Sequence, residues 1–156
     1  MRALVQRVTE GRVEIPSENY SASIGKGMVI LLGIKEGDSI ENINFVADKC
    51  SNLRIFEDEN DKMNLSIKEI DGEVLVISQF TLYGDTRRGN RPGFTDAARP
   101  EIAEDFYNRF VMRMKENLGE AKVKVGIFGA MMLVKIFNDG PVTILVESKN
   151  EVTYES

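Results

Sequence analysis

The chain has 156 residues and a formal net charge of −5, because 25 Asp and Glu outnumber 20 Lys and Arg. It contains no histidine and one cysteine, which excludes Ser-His-Asp and Cys-His catalysis, histidine metal sites and an intramolecular disulfide. With 42% hydrophobic residues it can bury one core, and no apolar run reaches the roughly 20 residues of a membrane helix. We therefore expect one domain over residues 1–156 that is soluble and cytoplasmic, contacts no membrane and needs no metal or cofactor.

The apolar pattern predicts an α+β protein with about eight strands and two main helices. Residues 2–8 and 11–15 have the pattern of two short strands, and the apolar run 28–34 is typical of a strand buried on both faces. The hairpin-like order of the strands favours a mostly antiparallel sheet with a barrel-like shape.

The first helix is predicted over residues 38–53. Asp38 can cap its N-terminus, and Glu41 stands three residues later, as in a capping box. Cys50 falls on the apolar face of this helix. We interpret it as a core residue rather than a nucleophile, because no histidine or other base is available to activate it.

Residues 73–82 predict a strand that changes character midway. It begins apolar and β-branched and then presents Ser78, Gln79 and Thr81. Buried polar side chains are hydrogen-bonded or face a ligand, so the end of this strand is a candidate site. A second helix is predicted over residues 100–118, with a proline in its first turn and an apolar, partly aromatic stripe on one face that we interpret as core. Three more strands are expected at residues 123–128, 131–137 and 142–147, the last two joined by a turn at 138–141.

The loop before the second helix is basic. Residues 85–99 hold four arginines and two aspartates, a local charge of +2 in a protein whose acidic balance argues against broad coating of nucleic acid. Arginine guanidinium groups match phosphate oxygens in geometry and charge. The loop is therefore either a clamp for a phosphate backbone or a solubilising loop, and its residues alone do not decide between the two.

Two segments offer backbone rather than side-chain chemistry. The Gly140-Pro141 bond can adopt the cis form, because X-Pro bonds prefer trans by only about 0.5–1 kcal/mol. A cis bond there would turn two carbonyls to one side. An ordinary hairpin turn is the alternative. Thr81 has no evident base, but amides near Phe80 and Thr81 can stabilise an oxyanion. A substrate with its own hydroxyl, such as an RNA 2′-OH beside an ester, would fit this site better than an amide.

Several of these segments together resemble one known family. They span almost the whole chain in order, at residues 1–8, 53–58, 78–82, 88–92 and 138–143. Ser-Gln-Phe-Thr at 78–81 and Gly-Pro-Val-Thr at 140–143 are the two most specific motifs. On these motifs the sequence resembles the D-aminoacyl-tRNA deacylases, also called D-tyrosyl-tRNA deacylases.

The resemblance implies a homodimer with its active sites at the subunit interface, and hydrolysis of the ester between a D-amino acid and the 3′ adenosine of tRNA. Gly140 and Pro141 of one subunit would reach into the partner's site and exclude L-amino acids. The catalytic residues implied by the family motif are Ser78, Gln79, Phe80 and Thr81. We favour a mechanism in which amides of this motif polarise the ester carbonyl and the tRNA 2′-OH assists water. The alternative is that Thr81 acts as the nucleophile. Candidates to contact the tRNA are Arg7, Arg87, Arg88, Arg91, Met131 and Met132.

Two alternatives stay open on the sequence. A related deacylase would clear achiral glycyl-tRNA, and the isomer of the Gly140-Pro141 bond bears on this choice. A non-catalytic nucleic-acid-binding module of the same fold would bind without turnover, although the net charge of −5 weakens this option. Family members usually carry an acidic residue where this chain has Met131, so contacts with substrate or partner subunit near Met131 and Met132 are expected to differ.

Overall fold

Eight strands and two α-helices form the part of the chain described by the computed structural model, residues 1–151. The strands are β1 (Arg2–Ile15), β2 (Tyr20–Ile24), β3 (Gly27–Gly33), β4 (Phe56–Glu57), β5 (Met63–Leu65), β6 (Glu73–Ser78), β7 (Val123–Val125) and β8 (Leu133–Glu147). The helices are α1 (Ile40–Asn52), after β3, and α2 (Pro100–Leu118), before β7. Neither helix is long and apolar enough to cross a membrane. The prediction of two main helices is confirmed.

Six strands form one mixed sheet, whereas the sequence predicted a mostly antiparallel one. β1 pairs antiparallel with β2, β3 and β8, but β6 pairs parallel with both β3 and β7. α1 lies in the connection from β3 to β6 and α2 in the connection from β6 to β7, and helical crossovers of this kind join parallel strands. The hairpin-like interpretation of the strand order missed these two crossovers.

The sheet is nearly closed into a barrel-like shape, as predicted. β2 and β7 lie at the two ends of the strand order, yet Tyr20 of β2 donates a hydrogen bond to the Val125 carbonyl of β7 at 2.7 Å. One face of the sheet packs on an apolar cluster that includes the fully buried Val13, Val29 and Leu75. A second, larger cluster joins β1, β3 and β6 to the two helices. β3 is therefore buried on both of its faces, as its apolar run predicts.

β1 and β8 are each continuous, where the sequence predicted two short strands in each segment. They pair antiparallel along almost their full length. The register shifts at two neighbouring points, and at the first of them Arg7 alone stands opposite residues 139–142. A bulge takes up extra residues in one strand without reversing its direction. The predicted turn at 138–141 is therefore wrong, because this segment bulges from a strand that continues through it.

The start of α1 differs from the prediction by two residues. Its N-cap is Ser39, whose hydroxyl accepts a hydrogen bond from the Asn42 amide at 3.4 Å, while the Asn42 side chain accepts one from the Ser39 amide at 2.9 Å. This capping box is shifted by one residue from the predicted pair Asp38 and Glu41. Asp38 instead accepts a hydrogen bond from the N-terminal ammonium group of Met1 at 2.9 Å.

Two predictions about the helices are confirmed. α2 spans Pro100–Leu118, and the aromatic side chains of its apolar face, Tyr107 and Phe110, are buried. Cys50 is fully buried on α1, and this burial raises the pKa of its thiol to about 12. Because the nucleophilic form of cysteine is the thiolate, Cys50 contributes packing rather than chemistry at neutral pH.

Candidate active site

A short 3₁₀ helix, Phe80–Tyr83, follows β6 where the sequence predicted that the strand continues to residue 82. The strand ends at Ser78, and the amide of Gln79 donates a hydrogen bond to a carbonyl of β3 at 2.8 Å. Gly33 of β3 permits this close turn, because a Cβ there would lie 3.1 Å from a ring atom of the 3₁₀ helix. The polar residues of the 78–81 motif thus lie on a turn at the end of a parallel strand, not along the strand itself.

The amides at the start of this 3₁₀ helix lie at an exposed surface. The first amides of a helix have no acceptor within it, and in the described part of the chain those of Phe80 and Thr81 donate to no acceptor elsewhere. Both residues are exposed. Two neighbouring N–H groups of this kind can donate hydrogen bonds to a carbonyl oxygen that gains negative charge during a reaction.

The hydroxyl group of Thr81 has a side-chain amide as its partner. The Gln79 side-chain nitrogen donates a hydrogen bond to Thr81 Oγ1. A carboxamide nitrogen is not basic, so Gln79 does not take a proton from this hydroxyl. This partner of the Thr81 hydroxyl is therefore not a general base, and the absence of a base for Thr81 stays a prediction.

The 3₁₀ turn borders a largely apolar cavity of about 450 Å³. Its lining includes Ser78, Gln79 and Phe80, together with Phe94, Phe128 and residues of the first turn of α2. The rings of Phe80 and Phe94 meet edge to face with their centroids 5.1 Å apart. Sequence reasoning missed Phe94 and Phe128 as cavity residues. Phe94 lies in a loop with no local pattern that marks it, and Phe128 was predicted as the end of a strand over 123–128, whereas β7 ends at Val125.

The second motif, Gly140-Pro141, lies in the bulge of β8 and is exposed. Its peptide bond is cis, and Gly140 has a φ angle of +121°. Neither residue lines the apolar cavity beside the 3₁₀ turn. Within the described part of one chain, the two motifs therefore do not form a common cavity.

Arg7 supports the bulge from inside the protein. Its side chain is buried, and it donates hydrogen bonds to the carbonyl of Asp139 at 3.2 Å and to that of Ile55 at 2.8 Å. Its guanidinium group also lies 3.4 Å from the Asp139 carboxylate and 3.8 Å from that of Glu57. Arg7, a predicted tRNA contact, is thus placed behind the residue that precedes Gly140.

The basic loop borders a second, polar cavity of about 440 Å³. Arg87 lines it and makes a two-pronged ion pair with Asp85, at 2.9 and 2.8 Å. These hydrogen bonds from Arg87 hold the pKa of the Asp85 carboxyl well below its usual range. Arg88 and Arg91 are exposed on the same loop. The three predicted phosphate contacts therefore lie together, but Arg87 is already fixed by a carboxylate.

The solvent side of β8 carries large apolar side chains. Leu133, Phe137 and Leu145 are 56%, 54% and 48% exposed, and we call them the β8 apolar face. Met131, just before the strand, is 87% exposed, whereas Met132 packs against the apolar cluster on one face of the sheet. Exposed apolar side chains that recur along one strand are typical of an interaction surface.

Exposed amides on a turn beside an apolar cavity are an arrangement with which an enzyme can polarise a carbonyl group. The profile of the family described as D-Tyr-tRNA(Tyr) deacylase matches residues 4–147, and the chain belongs to this family. The resemblance inferred from the motifs at 78–81 and 140–143 is thereby confirmed, as is the expectation of an enzyme of this class.

Several relatives cover nearly the whole chain. A protein of Clostridioides difficile (strain 630) named D-aminoacyl-tRNA deacylase is 53% identical over 148 residues, which are 95% of this chain and 97% of that protein. A protein of the same name from Flavobacterium psychrophilum is 50% identical over 151 residues, 97% of this chain and 99% of that protein.

Solved structures share the fold. One described as "c-Myc DNA Unwinding Element Binding Protein" is 41% identical with a TM-score of 0.89, and the match covers 95% of this chain and 99% of that one. A probable eukaryotic D-amino acid tRNA deacylase is 16% identical with a TM-score of 0.78 over 94% of this chain and 98% of its own. The second likeness supports the fold alone.

Proposed function

We propose that this protein hydrolyses the ester bond between a D-amino acid and the 3′ adenosine of tRNA, in the cytoplasm where aminoacyl-tRNA is used. The observation that carries the proposal is the 3₁₀ turn Phe80–Tyr83 beside the apolar cavity, in a chain about half identical to proteins named D-aminoacyl-tRNA deacylase. A cavity with apolar and aromatic walls suits a purine ring, and the neighbouring amides suit the ester carbonyl.

The amides of Phe80 and Thr81 donate to the carbonyl oxygen while a water molecule attacks the carbonyl carbon. The bond from that carbon to the 3′ oxygen then breaks, which leaves a free amino acid and a tRNA with a 3′-OH. The 2′-OH of the same ribose lies next to the ester and assists the water. This assignment is supported by the hydrogen bond from Gln79 to the Thr81 hydroxyl, since an amide is no base. Ser78 and Gln79 shape the cavity wall.

We expect Thr81→Ala to keep its D-Tyr-tRNA turnover within about tenfold of the unchanged protein, because alanine retains the backbone amide. The rate of release of D-tyrosine from D-Tyr-tRNA under single-turnover conditions measures this. Complete loss of turnover in a folded Thr81→Ala protein would instead make Thr81 the nucleophile.

Gly140 and Pro141 act as the chirality filter in this proposal. Their carbonyls accept hydrogen bonds from the α-amino group of a D-residue and leave no space for an L side chain, which is selection by exclusion. The bulge is well supported for this role. Arg7 holds the Asp139 carbonyl from inside, and the Asn138 side chain accepts a hydrogen bond from the Val142 amide at 3.2 Å.

A second subunit would bring the filter to the cavity. In one chain the exposed bulge lies apart from the cavity, and the β8 apolar face flanks the bulge on both sides along the strand. A two-fold dimer would bury the β8 apolar face of both subunits and place each bulge against the partner subunit. We propose a homodimer in which each active site combines the 78–81 turn of one subunit with Gly140 and Pro141 of the other.

Phe137→Lys tests this interface, because it places a charge on the β8 apolar face beside the bulge. We expect a monomer in sedimentation at micromolar concentration and a turnover reduced by at least about 100-fold, since a buried unpaired charge costs several kcal/mol. Met112→Lys is the matched control, because Met112 is 61% exposed on α2. A Phe137→Lys protein that stays dimeric and active would contradict this interface.

The tRNA contacts are proposed in two groups. Arg88 and Arg91 are exposed and face phosphates directly, with Arg87 held in place by Asp85. Arg7 acts through the bulge it supports. The exposed Met131 and the packed Met132 lie close to the substrate or the partner subunit.

The proposed function is tested by incubating the EDTA-treated protein with D-Tyr-tRNA, L-Tyr-tRNA and Gly-tRNA. We expect rapid release from the D form and no release from the L form. Release from Gly-tRNA alone would assign the protein to achiral clearance. Binding of tRNA that weakens steeply with salt, with no release from any substrate, would make it a nucleic-acid-binding module.

A further inference from the structure

Arg2 and Glu151 contact the end of the 3₁₀ turn on the side of the polar cavity, and together with Tyr83 of the turn we call them the rear cluster. All three line this cavity of about 440 Å³. None of them lines the apolar cavity that holds the 78–81 motif. Arg2 and Glu151 therefore reach the site only through the residues at the end of the turn.

Arg2 makes the most direct contacts with the turn. Its Nη1 donates a hydrogen bond to the carbonyl of Leu82 at 3.1 Å, and its guanidinium carbon lies 4.9 Å from the centre of the Tyr83 ring. The same side chain is anchored on the sheet, because its Nε donates to the Glu147 carboxylate at 3.2 Å. One arginine thus ties β1 and β8 to both residues at the end of the 3₁₀ helix.

Glu151 completes the rear cluster. Its side chain is 7% exposed and accepts hydrogen bonds from the Tyr83 hydroxyl and, at 2.8 Å, from the N-terminal ammonium group of Met1. Burial alone would raise the pKa of Glu151, but these hydrogen bonds lower it below its ordinary value. Its second oxygen lies 3.5 Å from Arg2 Nε and 3.8 Å from Lys35 Nζ. Glu151 is therefore a charged anchor that fixes both Tyr83 and Arg2.

Contacts that fix the 3₁₀ turn matter for an oxyanion site, because the donors of such a site stabilise the transition state only when they are held in place before the reaction. The 3₁₀ helix has four residues and few hydrogen bonds of its own. We propose that Arg2 and Glu151 are positioning residues, which clamp Leu82 and Tyr83 so that the amides of Phe80 and Thr81 keep their orientation toward the substrate. The role of the two amides rests on the proposed function, whereas the contacts of Arg2 and Glu151 with the end of the turn do not depend on it.

The test combines kinetics with hydrogen exchange in the Arg2→Gln and Glu151→Gln variants. We expect kcat for D-Tyr-tRNA to fall by about tenfold with KM changed by less than about threefold, because the turn contributes to the transition state more than to binding. We also expect the hydrogen-bonded amides of Gln79, Leu82 and Gly84 to exchange at least about tenfold faster, with exchange in β6 unchanged. Sedimentation confirms that both variants keep the oligomeric state of the unchanged protein.

Arg113→Gln is the matched control, because Arg113 is similarly exposed and pairs with the Asp48 carboxylate at 2.8 Å but does not contact the turn. If Arg2→Gln and Arg113→Gln lower kcat and melting temperature equally, with unchanged exchange at 79–84, the clamp is refuted. If neither variant nor the unchanged protein hydrolyses D-Tyr-tRNA, the exchange data still decide on the clamp, while the proposed function fails separately. Should Arg2→Gln not fold, Glu151→Gln carries the same two measurements.

Discussion

Phe80→Pro is expected to lower kcat for D-Tyr-tRNA by about 100- to 1000-fold, the usual effect of removing one donor from an oxyanion site. Proline has no backbone N–H, so this change removes one of the two proposed donors. Proline is well accepted at the first position of a helix, where Phe80 stands, and Gln79 before it lies outside the helical region, with φ −148° and ψ 77°. Single-turnover release of D-tyrosine measures the effect.

Phe80→Ala is the control, because it removes the same aromatic ring but keeps the amide. It loses the edge-to-face contact with Phe94, for which we expect a decrease of no more than about tenfold. The difference in rate between the two variants therefore reports the amide alone. Equal rates for Phe80→Pro and Phe80→Ala, with equal melting temperatures, would refute the role of this amide.

Gly140→Ala is expected to reduce D-Tyr-tRNA turnover, or the preference for D- over L-Tyr-tRNA, by at least about tenfold. The φ of +121° at Gly140 strains any L side chain. A Cβ there would also lie 2.9 Å from a Val142 methyl group and 3.0 Å from the Arg7 guanidinium group. Rates with both substrates, measured side by side, give the change in turnover and in selectivity.

Gly119→Ala separates backbone strain from crowding at the filter. Gly119, at the end of α2, has a φ of +100°, but a Cβ there would meet no atom within 4 Å. We expect a modest loss of stability and unchanged kinetics from this control. Unchanged D-specific turnover in Gly140→Ala as well would remove Gly140 from the filter.

The helices were predictable because their signals are local. α2 combines a proline in its first turn with an apolar stripe at helical spacing, and both features were recognised with correct bounds. Cys50 was placed in the core from the same spacing on α1. The start of α1 was predicted too early because Asp38 and Ser39 are both good caps. Which of the two caps the helix depends on a distant group. Asp38 is occupied by the Met1 ammonium group, which leaves Ser39 to cap the helix.

The strands were harder because their course depends on partners elsewhere in the chain. Residues 138–141 have turn chemistry, yet pairing with β1 carries β8 straight through them. Residues 79–82 continue the pattern of β6, but the close approach of Gly33 allows the chain to turn there. β2 was not predicted as a strand of its own.

In the candidate site, too, the parts with local signals were predictable and the parts that depend on distant segments were not. Its two motifs were found from the sequence because family members share them, but neither the apolar cavity nor the rear cluster was. Phe94 and Phe128 come from loops far apart in the chain, and Arg2 and Glu151 come from opposite ends of the described residues. Sites assembled from distant segments leave no periodic or local signal in a single sequence.

The most direct test of an active site shared between subunits is the selectivity of a mixed dimer that pairs a Phe80→Pro subunit with a Gly140→Ala subunit. Differently tagged chains, co-expressed and purified through both tags, provide it. In a shared site, the intact turn of the Gly140→Ala subunit works with the intact Gly140 of the Phe80→Pro subunit. We therefore predict that the mixed dimer has the same D-Tyr-tRNA rate per intact site as the unchanged protein, and the same preference for D- over L-Tyr-tRNA. A mixed dimer with the rate and preference of Gly140→Ala alone, or a failure to form any dimer, would contradict the shared site.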